Sequence, residues 1–163
     1  MNIFYLDSNP RLCVSYHCDK HVVKMCLEYA QLLSTAHAVL DDREIGYKPT
    51  HKNHPCAVWV RESNGNYIWL WSLLQSTYAE FTKRYSKVHK GQREGLLGIL
   101  SNYPRNIPKY SVREDKFQTP VPLCMPDKYK SDCAVESYRA YYMGEKREIA
   151  TWKTDKPEWW IDE

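Results

Sequence analysis

Apolar and polar positions alternate most distinctively over His17 to Ala38, HCDKHVVKMCLEYAQLLSTAHA. Turned through about 100° per residue, His17, His21, Lys24, Glu28, Gln31 and Thr35 share one face. Val22, Val23, Met25, Cys26, Leu27, Tyr29, Ala30, Leu32, Leu33 and Ala36 cover the rest of the circumference. This predicts one long helix surrounded by protein, ending before Asp41 and Asp42, with its polar stripe lining a cleft. The competing reading is a solvated stripe in which Lys24 and Glu28 form an ordinary surface pair.

A second helical period runs through Asn66 to Tyr85, where Tyr67, Leu70, Trp71, Leu74, Tyr78 and Phe81 recur on one face and read as core. Ahead of the long helix, Met1 to Leu6 is a short apolar segment, either a strand or a tail threaded into the core. Asp7, Ser8, Asn9 and Pro10 then predict a short helix from about Asn9. If the chain breaks before the long helix, Asp19 is its cap. In THKNHPCAVWVRES, Asn53 or His54 opens a further helix, with Pro55 in the first turn where its missing donor costs nothing. From Leu96 to Asp132 periodicity is lost and Pro104, Pro108, Pro120, Pro122 and Pro126 accumulate; loops this long in compact domains are often functional. A last helix is predicted from about Cys133 to Trp152, and Pro157 to Trp160 (PEWW) is expected to fold back onto the domain. With no convincing alternating run, the expectation is an all-α bundle around one central helix, a single domain over residues 1–163 with a long Pro-containing loop before the C-terminal helix.

Composition narrows the function more than the fold. The net charge of +3 is too small for a polycationic nucleic-acid coat. Six glycines, no Gly-rich phosphate loop and no G-x-S-x-G elbow argue against nucleotide-cradling folds and the hydrolase elbow. No signal peptide or membrane-length apolar run is visible. The expected compartment is therefore a reducing cytoplasm, without membrane association, and the six cysteines are mostly small buried apolar residues.

The chemistry-bearing candidates fall into three groups. Glu28, flanked by Lys24 and with His21 further along the stripe, is a carboxylate whose protonation neighbours can tune. His51 and His54 precede a positive helix end and, with Arg61, suit a phosphate; His17 extends the stripe in the same role. Near the C-terminus Tyr138, Arg139, Tyr141, Tyr142, Lys146 and Arg147 interleave rings and cations, which fits a DNA backbone and unstacked bases. The basic run Lys83, Arg84, Lys87, His89, Lys90 and Arg93 reads as solvated, or as a second phosphate contact. His17 and His21, with His51 or His54, also have zinc-ligand spacing, giving a zinc-dependent hydrolase as one alternative. Lys20, Lys24 and Lys52 oppose a divalent ion there, so the expectation is no metal and no cofactor. A non-catalytic module binding a host protein is the other alternative.

Three patches resemble the phage pyrimidine-dimer DNA glycosylases. Asp19-Lys20-His21, followed seven residues after the histidine by Glu28, resembles the family's Asp-Gln-His and catalytic glutamate. Tyr47 to Pro55 is similar to the Tyr-basic-His-His-Pro segment of the bacterial branch, and Tyr138 to Lys146 to the family's Tyr-Lys-Tyr-Tyr-Gly-Lys run. The resemblance implies an all-helical DNA enzyme that attacks C1′ with an N-terminal amine while Glu28 holds charge and moves protons. His21 and Lys24 would support Glu28, Arg139 and Lys146 would grip the backbone, and Tyr141 or Tyr142 would meet a base. It also implies a phage-associated origin. The family's amine belongs to a small second residue exposed by loss of methionine; here Asn2 is too large for that removal, so the amine is that of Met1. Leu27 and Gln31 stand where the family has arginines.

Overall fold

The computed structural model describes residues 1–110 and 118–162, and every regular element among them is helical. The first six residues form an extended tail whose Ile3, Phe4, Tyr5 and Leu6 are buried. Helix α1, Pro10–Ser15, starts where the pattern places it: the Asn9 side chain accepts the Arg11 and Leu12 N–H groups, and Pro10 fills the first turn.

The chain then breaks, and α2 spans Asp19–Asp41. The long helix therefore starts two residues later than its periodicity suggests. His17 lies ahead of it, and Asp19 is its first residue, with Cys18 in the cap position. Helix α3, Pro55–Val60, is capped by His54, and α4, Asn64–Tyr85, by Ser63. Two single turns follow, α5 (Lys90–Arg93) and α6 (Leu96–Ile99). Helix α7, Ala134–Glu145, stops well short of Trp152 and passes into a 3-10 turn, Arg147–Ile149.

Helices α2 and α4 pack on each other at the centre, α1 lies against α4, and α3 lies against α2. Met25, Tyr29, Leu32 and Leu33 from α2 and Tyr67, Leu70, Leu74 and Tyr78 from α4 form the fully buried middle. Part of the predicted proline-rich loop, residues 111–117, lies outside the described residues. Its far side returns over α3, where Trp59 Nε1 donates to the Thr119 carbonyl (3.1 Å) and the Asn66 amide donates to Thr119 Oγ1 (2.7 Å). Trp159 and Trp160 fold back against the core, and the Arg139 guanidinium lies over both the Tyr16 and Trp159 rings, at 5.4 and 5.3 Å.

Arg84, read from sequence within a solvated basic run, is instead an internal clamp. Its side chain is fully buried, pairing with Asp19 (3.0 Å) and Glu80 (2.8 Å) and donating to the Ser15 and His17 carbonyls. It joins the end of α4 to the unwound link between α1 and α2.

Candidate active site

The site is built by the route of the N-terminal tail. Phe4 takes a left-handed backbone conformation (φ +42°), which a bulky residue adopts only when its surroundings impose it. That bend lays the Phe4 ring flat on His21, with centroids 4.0 Å apart. The Tyr29 hydroxyl reaches the Ile3 carbonyl (2.9 Å), and the Asn2 amide donates to the Cys124 carbonyl (2.8 Å). Held at these points, the tail brings its first atom to the middle of α2.

There the Met1 α-amine lies 3.3 Å from Glu28 Oε2, and Lys24 Nζ, one turn back on α2, lies 3.4 Å from Oε1. The Glu28 side chain is 15% exposed and that of Lys24 62%, so the pair sits at the rim of the core with Lys24 on its solvent side. Oε2 itself is buried and makes no hydrogen bond, so its only close counterpart among the described residues is the Met1 amine. A primary amine is nucleophilic only after losing a proton, and a carboxylate at this distance can accept it.

His54 borders the same point. Burial, the Met1 amine and His51 lower its pKa while Glu28 opposes them, which favours a neutral imidazole. Its Nδ1 accepts the Cys56 N–H (3.1 Å). Cys56 Sγ and Cys124 Sγ are 3.5 Å apart; donation from the Cys56 thiol draws the Cys124 thiol below its usual range, and Cys56 correspondingly holds its proton.

The remaining sequence candidates divide between the interior and the surface. His17 and His21 are buried: His17 bonds to the Cys13 carbonyl and the Tyr29 hydroxyl, and His21 bonds to the Tyr142 hydroxyl. Tyr142 is fully buried and reaches no ligand-facing surface. Arg139 donates to the Leu6 carbonyl and pairs with Asp7, so it anchors the tail. Arg61 is tied to the Lys52 and Ala57 carbonyls. His51 is exposed, with Nδ1 on Thr50 Oγ1, and Tyr141 is half-buried under Lys146 Nζ, which sits 4.8 Å from the ring centroid. The zinc-spaced histidines do not converge: His17 and His21 lie inside, while His51 and His54 lie in the loop before α3. Phe4 and Tyr142 thus cover the start of the predicted cleft, and Thr35 at its end is buried, while Lys24 is exposed and Glu28 and Gln31 are half-buried. A separate concavity lined by His37, Asp41, Arg43 and Tyr103 lies at the far end of α2.

Two of these placements carry a pH dependence. Burial lowers the pKa of His17 to about 4 and of His21 to about 3, against about 6.5 for an unfolded histidine. Between those values the unfolded chain binds protons that the folded chain refuses. The stability from keeping both rings neutral is full above about pH 6.5 and is lost as pH falls toward 4 and 3. The expected slope is on the order of 1.4 kcal/mol per pH unit for each ring. Urea midpoints measured at pH 7 and pH 5 check it; equal midpoints contradict it.

Sequence reasoning grouped Cys56 with His51 and His54 in the H-K-N-H-P-C cluster but gave Asn2 and Cys124 no part in a site. Cys56 follows His54 by two positions, a spacing that invites attention, but Cys124 is brought in by a return of 68 residues that leaves no local signal.

The site thus joins an amine, a carboxylate and the largely exposed Lys24 in one ion-paired group at the rim of the core. The family model for pyrimidine dimer DNA glycosylases matches residues 1–92, more than half of the 163-residue chain, and the chain belongs to that family. Its class of chemistry is therefore that of a DNA-repair glycosylase. No curated protein and no solved structure matches the chain. The matched stretch contains the tail and α1 to α4, hence Met1, Lys24, Glu28 and His54; Cys124 and the α7 run Tyr138 to Lys146 lie outside it. No helix among the described residues is long and apolar enough to cross a membrane.

Proposed function

We propose that the chain excises a damaged pyrimidine, of the cyclobutane-dimer type, from duplex DNA. The Met1 α-amine attacks C1′ of the damaged nucleotide, and the glycosidic bond breaks with its electron pair leaving on the base. The resulting iminium links Met1 to the opened sugar. Glu28 takes the proton that frees the amine and passes it to the ring oxygen as the sugar opens; as a carboxylate again, it stabilises the cationic iminium. Loss of the C2′ proton then cleaves the 3′ phosphate, the lyase half of the reaction.

The observation that carries this reading is the 3.3 Å approach of the Met1 amine to Glu28. Lys24 on α2 and Lys146 at the end of α7 both bear electrostatically on His21, and Lys24 also pairs with Glu28. With His51, which bears electrostatically on His54, the two lysines are the phosphate contacts of this reading, and Tyr141 is its base-facing ring. His17, His21, Tyr142 and Arg139 act through the tail, by fixing where Met1 lies.

A duplex oligonucleotide carrying one thymine dimer tests the reading. The protein is expected to incise the damaged strand at the dimer and to leave the undamaged duplex whole. Equal cleavage of both, or of neither, contradicts it.

A further inference from the structure

His54, Cys56 and Cys124 bring one imidazole nitrogen and two sulfurs to within 4.8 Å of one another. They are the one such group of three or more potential ligand residues among the described residues. We propose that these three residues form a binding site for a thiophilic cation, zinc first, clipping the 118–126 return to the start of α3. The cation site stands whether or not Met1 is the nucleophile.

The geometry fits a soft ion. Two thiolates on a tetrahedral zinc, with Zn–S bonds of about 2.3 Å, lie about 3.8 Å apart. The Cys56 and Cys124 sulfurs are 3.5 Å apart, within a few tenths of an ångström of that edge and far beyond a disulfide bond of about 2.05 Å. Cys56 is fully buried and Cys124 half-buried, so water competes little for the ion. Binding releases both thiol protons, and the two thiolates then cancel the charge of a divalent ion. This meets the objection that lysines raise against a purely histidine site. It also tolerates the Met1 ammonium nearby, which bears electrostatically on both cysteines. The fourth position falls to water.

Loading has a local consequence. A neutral imidazole has one acceptor nitrogen, and in His54 it is engaged with the Cys56 N–H. The ring can hold the ion only by giving up that cap, so the Cys56 amide loses its partner when metal binds. Because Asn2 donates to the Cys124 carbonyl, the ion is also linked to the tail that carries Met1.

The test uses the reduced full-length protein. Titration with Co²⁺ is expected to give one equivalent and a near-ultraviolet thiolate-to-cobalt band with the intensity of two sulfur ligands. Zinc titrated against a chromogenic chelator should show the same stoichiometry. Cys124→Ser should remove about half of the cobalt band and weaken zinc at least tenfold, since even outer partners of metal ligands are worth about 10–100-fold. Cys133→Ser, at an exposed thiol, should change neither. His54→Asn keeps a capping side chain and should weaken zinc similarly, which guards against misfolding of Cys124→Ser. Absence of a thiolate band in the wild-type protein overturns the proposal, as does unchanged zinc affinity in folded Cys124→Ser or His54→Asn.

Discussion

Glu28→Gln is expected to lower the rate of dimer excision by roughly 10²- to 10⁴-fold, the usual worth of a positioned proton-transfer group, while binding of the damaged duplex changes little. The substitution keeps the shape and volume of the side chain but removes its charge and its ability to take a proton from Met1. Helix α2 should be unaffected, because the buried Glu28 Oε2 makes no hydrogen bond that the substitution would break. Single-turnover excision and a gel-shift titration on the same duplex separate the two quantities. A rate within tenfold of wild type would remove Glu28 from the chemistry. Equal losses of binding and rate would make it a DNA contact instead.

Arg84→Ala is expected to be the most damaging single substitution for the fold. The guanidinium makes ion pairs with Asp19 and Glu80 and hydrogen bonds to the Ser15 and His17 carbonyls at the junction of α1 and α2, all with its own side chain fully buried. Removing one partner from such a pair leaves the other charge uncompensated, at a cost of about 3–5 kcal/mol, a large share of the roughly 5–15 kcal/mol that holds a domain together. Asp19 keeps only the Lys153 N–H and the Thr151 hydroxyl. Urea unfolding measures the loss; a change below about 1 kcal/mol would show that Arg84 is not the clamp.

These two residues mark how far the sequence could be read. Helices α2 and α4 were legible because each repeats apolar residues over about six turns, and α1 and α3 because Asn9 and His54 stand before prolines. The Lys24 and Glu28 pair was legible as neighbours one turn apart. The burial of His21 was not: periodicity places it on the stripe with Glu28, but Phe4 and Tyr142, which cover it, come from the tail and from 121 residues away. Arg84 failed for the same reason. Its partners Asp19, Ser15 and His17 are 65 or more residues distant, so locally it is one cation among several. The Asp19-Lys20-His21 motif thereby takes on a structural meaning, since Asp19 holds Arg84 and His21 lies under Phe4. Both shape the path of the tail, and Arg139 and Tyr142 of the α7 run serve the same end.

The central claim is that the first atom of the chain does the chemistry, and borohydride reduction during reaction with dimer-containing DNA tests it most directly. Peptide mapping of the trapped adduct is predicted to place the DNA on the Met1 α-nitrogen. An adduct on Lys24 or another lysine, or no adduct while excision proceeds, would contradict the account.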